Sequence, residues 1–276
     1  MSRNFELLRK LGKDQELLGD VAVPERAVEA AAGAGAESSS DVVPLSLPAP
    51  VTMPCQPVPA APPALAPPED GLEEVTSLAQ QIFLAPGADA PRVVVFASPE
   101  PATGCTWVCA RTAEALARRT AGSVCLVDAN LRNPGLHRQY DVEPLVGLSD
   151  ALQQLEPIGS FAVRVNLPNL FLVPAGASLE NPHVGVTSDR MRLRVAELRS
   201  SFDFVLIDTP AMDFSSDALC LGPLAEGVVL VLEAHSTRKQ NARKSVVELQ
   251  AAHAKVLGAV LNRRTYPIPE AVYKRL

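Results

Sequence analysis

Long apolar runs are missing from this 276-residue chain. No stretch reaches the roughly 18 uninterrupted apolar residues of a membrane-spanning helix, so no span is expected. A basic surplus is missing as well. The formal net charge is −6 and the pI about 5.3, which supplies no global field toward nucleic acid or anionic lipid, and neither is expected as a direct partner. Paired cysteines are missing too. The five thiols (Cys55, Cys105, Cys109, Cys125, Cys220) are odd in number with no CxxC spacing, which argues against a disulfide or zinc framework and for a reducing compartment. The first residues, MSRNFELLRKLGKDQELL, mix charge throughout and lack the apolar centre of a signal peptide. A cytoplasmic protein is expected.

What is present falls into three zones. Residues 1–18 set Phe5, Leu7, Leu8, Leu11 and Leu17 among charges behind Ser2, a pattern that predicts a short amphipathic helix or a tail. Residues 19–70 are rich in Ala, Pro and Ser. Between Pro44 and Pro68 lie ten prolines and no aromatic side chain, too little apolar surface to offset ordering entropy, so a disordered linker is expected. Residues 71–276 carry the folded domain.

There, short β-branched runs alternate with helical stretches. The runs are Arg92-VVVFA, Ser123-VCLVD, Leu170-FLVPA, Asp203-FVLID, Gly227-VVLVLEA and Lys255-VLGAVLN. Continuous apolar runs of this length predict strands buried on both faces, as in a parallel sheet. Helices are predicted over about Thr106–Arg119, Ser188–Ser200 and Gln240–His253. The alternation predicts an α/β fold: a doubly wound, mainly parallel sheet with right-handed crossovers.

Ligands of such sheets sit at the strand ends, and three ends carry chemistry. After the first run, Ser98-PEPATGCT leads into a helix, the setting of a phosphate-binding loop whose amides and helix N-terminus attract anions. Gly104 and Thr106 occupy their usual places, but Cys105 stands where the motif requires Lys. Taken alone, this loop reads better as a turn that caps a helix. Asp128 closes the second run, as a metal or phosphate group or equally as a cap for the next turn. Asp208 closes the run FVLID, as a Walker B acid does to orient Mg²⁺. Cys105 and Cys109 share a helix face. A thiol at a helix start can be acidified and reactive, but two thiols make half a zinc site at most, so core packing for Cys109 and loop lining for Cys105 are expected. Trp107 fits packing or base stacking. None of the four histidines (His137, His183, His235, His253) is assigned a catalytic role.

In their order these segments resemble the cytoplasmic ATP-binding domain of the bacterial tyrosine kinases (BY-kinases) that accompany polysaccharide co-polymerases in capsule and exopolysaccharide synthesis. Ser98–Thr106 resembles Walker A, Leu126–His137 (LVDANLRNPGLH) Walker A′, and Phe202–Pro210 (FDFVLIDTP) Walker B. Gly147–Leu152, the stretch from Asn169 to Pro182, Ser216–Leu219 and Gly258–Asn262 follow in family order. The resemblance spans roughly Leu72 to Arg264 and implies a P-loop NTPase-like fold with ATP and Mg²⁺ as cofactors. It implies that Thr106 and Asp208 hold the metal and that Asp128 and Asp208 are the catalytic acids. The amides of Thr103, Gly104, Cys105 and Thr106 would cradle phosphates, and Asn262 would lie near the base. The implied partner is a membrane-embedded polysaccharide co-polymerase, which would place the chain peripherally at the inner face of the membrane, possible homo-oligomers included.

Four departures qualify these implications. Cys105 replaces the lysine that spreads positive charge over a transferring phosphoryl group. Ala102 stands at a loop position usually held by Gly, where φ > 0 would be strained. Asn130 replaces the second Walker A′ acid. At the C-terminus Tyr266 and Tyr273 are isolated rather than clustered, and the family's oligomer motif falls on Glu74, Ser77 and Gln80 without its arginines. No Lys or Arg lies between Ala97 and Ala110, and Arg111 is nearly two turns into the helix. Two functions follow as expectations: a catalytically degenerate regulatory partner with weak or no nucleotide turnover, or an ATP-dependent protein-tyrosine autokinase with a substitute for the lysine. A partitioning-type ATPase of the same superfamily would also need the missing charge.

Overall fold

The computed structural model describes residues 72–85, 90–177 and 182–264. The expected N-terminal helix, the linker and both C-terminal tyrosines lie outside the described residues.

Seven strands form one sheet in the order β3-β4-β2-β5-β1-β6-β7. They are β1 (Val93–Ala97), β2 (Val124–Asp128), β3 (Val163–Arg164), β4 (Leu170–Val173), β5 (Phe204–Asp208), β6 (Gly227–Glu233) and β7 (Val256–Asn262). Every pairing is parallel except β3 with β4. Because strand side chains alternate in direction, β1 feeds two cores. Val93, Val95 and Ala97 face one, and Val94 and Phe96 the other. That is why the central runs are apolar throughout, as the sequence predicts.

Helix α1 (Leu72–Phe83) puts Val75, Ala79 and Phe83 on one stripe against α2 (Cys105–Arg119), and Phe83 meets Phe204 edge to face at 5.9 Å. The buried face of α2 runs through Cys109, Ala113 and Leu116, all fully buried. Burying a side chain such as Leu116 is worth about 1.5–3 kcal/mol, and its truncation to Ala would cost about 2–5 kcal/mol. Short helices α3 (Leu136–Gln139), α4 (Leu148–Ala151) and α5 (Pro182–Thr187) follow β2 and β4. Helix α6 (Asp189–Ser201) begins at Ser188, which accepts from the Met191 amide at 3.2 Å and thereby satisfies a first-turn donor. It buries Met191, Val195 and Leu198 in the first core. Helices α7 (Asp217–Leu221) and α8 (Lys239–Ala251) complete the layers. Helix α2 begins one residue earlier than the sequence suggests, and α8 ends two earlier, at Ala251, before His253 turns with φ 62°. The two-residue β3 is too short to leave a periodic signal. Among the described residues, no helix is long and apolar enough to cross a membrane.

Candidate functional site

The strand order puts β2, β5 and β1 side by side, so Asp128, Asp208 and the loop after Ala97 emerge at one edge. Asp128 pairs in register with Asp208, and Asp208 with Phe96. Both carboxyls are fully buried. Their environments differ sharply.

Asp128 accepts three backbone N–H groups, from Asn130 (3.2 Å), Gly135 (3.1 Å) and Leu136 (3.0 Å). It organises the loop after β2 and caps α3. Burial pushes its pKa up to about 6, against the downward pull of those N–H groups and of Arg138. Of the two roles open from sequence, the cap is formed. Asn130, at the second acid position, turns inward to the loop and accepts from the Asn133 amide at 3.1 Å. It is a turn-forming side chain that accepts from a backbone amide three residues on.

Asp208 has no such support. Among the described residues neither carboxylate oxygen has a hydrogen-bond partner in good geometry, although the Thr106 hydroxyl and the Cys105 thiol lie close enough to favour its charged form. Burial, and secondarily the Asp128 charge, hold its pKa well above the carboxylate range. A buried acid with idle oxygens is costly unless a cation joins it. Thr106 faces Asp208 from the α2 side, and a Cβ on Gly135 would lie 3.3 Å from its methyl group. Thr106, Asp208 and the Asp128 loop therefore do converge. A carboxylate with a neighbouring hydroxyl is an oxygen set that suits a hard divalent cation, and the residues present fit Mg²⁺.

The loop between β1 and α2 is strained and tethered. Ala102 adopts φ 62° and Gly104 φ 83°. The first is the left-handed conformation expected to strain a residue other than Gly, at about 1–2 kcal/mol. Glu100 receives a hydrogen bond from Asn241 of α8. The Asn262 side-chain amide donates to the Thr103 carbonyl at 2.7 Å. Asn262 thus engages the loop backbone, a contact that the sequence does not disclose.

Cys105 and Cys109 are buried. Burial, then the Asp208 charge, raises both thiols well above their ordinary value, so neither is the acidified thiolate that a helix start can produce. Arg111 is no substitute for the lysine, because its guanidinium pairs with Glu114 at 2.7 Å. Trp107 packs against the second core. His183, unassigned from sequence, meets the buried Asp217 at 3.2 Å. Ser77 accepts from the Gln81 amide within α1.

No family model matches the chain. The chain is 31% identical to the tyrosine-protein kinase YwqD of Bacillus subtilis (strain 168) over 169 residues, 61% of this chain and 71% of that protein. It is 30% identical to the succinoglycan biosynthesis transport protein ExoP of Rhizobium meliloti (strain 1021) over 178 residues, 62% of this chain but 22% of that longer protein. The crystal structure of the chimerical protein CapA2B2 superposes with a TM-score of 0.66 at 26% identity, over 70% of this chain and 85% of that one.

Proposed function

Because this chain belongs to the bacterial tyrosine-protein kinase family, we propose that it serves exopolysaccharide or capsule synthesis as a catalytically degenerate regulatory partner of a membrane-embedded polysaccharide co-polymerase. It works at the inner face of the membrane through that partner. The link to polysaccharide rests on the relatives' named roles, such as succinoglycan transport.

One observation carries the degenerate reading: the phosphate-binding loop holds a buried thiol where charge is needed. Burial, then the charge of Asp208 beside it, raises the Cys105 thiol well above its ordinary value, so the position stays neutral. Arg111, the next cation along the chain after this loop, is held by Glu114. A transferring phosphoryl group needs positive charge in its transition state, and that stabilisation is most of what a protein offers this reaction.

The remaining residues support weak nucleotide binding. Thr106 and Asp208 would hold Mg²⁺, and the amides of Thr103, Gly104, Cys105 and Thr106 would receive the phosphates of ATP at the start of α2. The metal ion would supply the positive charge that Asp208 lacks a partner for. Asp128 keeps the loop after β2 in place beside Asp208, and Asn262 holds the loop between β1 and α2.

The idle oxygens of Asp208 favour a second reading, an ATP-dependent tyrosine autokinase. Calorimetry with ATP and Mg²⁺, with mass spectrometry for phosphotyrosine, separates the two. The degenerate reading expects weak or no ATP binding and no phosphotyrosine. Micromolar affinity with phosphate on Tyr266 or Tyr273 would overturn it.

A further inference from the structure

We infer that Asn262 is a positioning residue of the phosphate-binding loop: its side-chain amide fixes the Thr103–Gly104 peptide so that the Gly104 N–H is aimed at the acidic side of the site. Thr103 O accepts only, so the atom 2.7 Å from it is the NH₂ of Asn262, and the orientation of the amide is chemically determined. The peptide is trans, which sets N–H and C=O in opposite directions. In the strand order β2-β5-β1-β6-β7, Asn262 stands at the end of β7, on one side of β1. Asp208 and Asp128 stand on the other side, on β5 and β2. A carbonyl drawn toward β7 therefore turns the next N–H toward the two acids, where the phosphate and metal would sit.

Gly104 is matched to this arrangement. A Cβ there would meet the Asn262 amide nitrogen at 2.3 Å, and its φ of 83° is left-handed, so glycine alone admits the close approach without strain. Asn241 holds Glu100 from α8 at the other end of the loop. The loop is thus clipped at both flanks by the part of the chain that follows β6. With the lysine gone, the anion donors left in the loop are its backbone amides and the hydroxyls of Thr103 and Thr106, and the aim of the amides is what Asn262 controls. Its Oδ1 stays free. The role is distinct from contact with a base: the Asn262 donor acts through the loop whether or not a nucleotide is present.

The test is amide hydrogen exchange on the full chain without ligand, in wild type, Asn262→Ala and Asn262→Asp. The Asp variant keeps the shape but places a carboxylate against the Thr103 carbonyl. Exchange across residues 98–106 is expected to rise at least several-fold in both variants, with β1 and β5 unchanged. An unchanged loop in both, or an Asp variant that matches wild type, would overturn the inference, since packing alone would then explain the contact. A second arm rests on the nucleotide-binding reading and measures ATP and inorganic tripolyphosphate in parallel. Equal fold-losses for both ligands in Asn262→Ala support action through the loop. A loss confined to ATP overturns it in favour of base contact. Wild type binding neither ligand would sink the nucleotide reading, while the exchange arm still decides the role of Asn262.

Discussion

Asp128 and Asp208 lie side by side in register on β2 and β5, equally buried, yet the first accepts three backbone N–H groups and the second none. Two identical side chains on one sheet edge thus have opposite consequences for the fold. Asp128 supports local structure. Asp208 burdens it, because a buried carboxyl without a hydrogen-bond partner is costly unless a cation joins it.

Opposite signs are therefore expected on substitution. Asp128→Ala would strand three amide donors and cost about 2–4 kcal/mol of stability. Asp208→Asn would relieve an unpaired buried carboxyl and raise stability by about 1–2 kcal/mol. Urea denaturation at pH 7.5 checks both. A destabilised Asp208→Asn would mean that its oxygens have partners after all.

The pH dependence follows from the same pair. Asp128 is raised from 3.8 to about 6, and Asp208 well above 3.8. A raised acid takes up its proton in the folded chain before the unfolded one does. Stability from this pair therefore rises as pH falls through about 6, and levels off once the unfolded carboxyls protonate near the ordinary value. His137, lowered by burial, pulls the other way over part of this range. The clean readout is the difference between wild type and Asp208→Asn. Their denaturation midpoints should converge between pH 8 and pH 5; a constant gap would count against a raised Asp208.

How much of this was legible beforehand depends on the range of each interaction. The strands were readable because burial on both faces leaves runs such as Val93–Ala97 without polar residues. The loss of charge at Cys105 was readable because the motif is contiguous. The Asn262 and Asn241 tethers were not, since they join residues 159 and 141 positions apart and no local pattern encodes such a contact. Nor was the difference between the two acids. Each closes an apolar strand, and only the course of the following loop decides which one meets amides.

Ala102 gives a further test. Its φ of 62° costs about 1–2 kcal/mol relative to a residue at ease there, and glycine loses part of that gain to its greater unfolded freedom. Ala102→Gly should leave stability unchanged or raise it by up to about 1 kcal/mol by thermal denaturation. A clear loss would place the loop in another conformation.

Restoring the missing charge is the most direct test of what the loop has lost. Cys105 is buried beside Asp208 at the first position of α2, so a lysine there would meet both an unpaired carboxylate and the phosphate position. A charge-assisted contact contributes about 1.5–3 kcal/mol, which corresponds to roughly 10- to 150-fold in affinity. Cys105→Lys should therefore tighten ATP binding by at least about tenfold in calorimetry with Mg²⁺. Without nucleotide, the new ammonium should pair with Asp208 and remove most of the difference that Asp208→Asn makes to stability, because the carboxylate would no longer lack a partner. If neither affinity nor that difference changed, the deficit of this loop would lie in its strained backbone or in Asn130, and the substitution at Cys105 would be incidental.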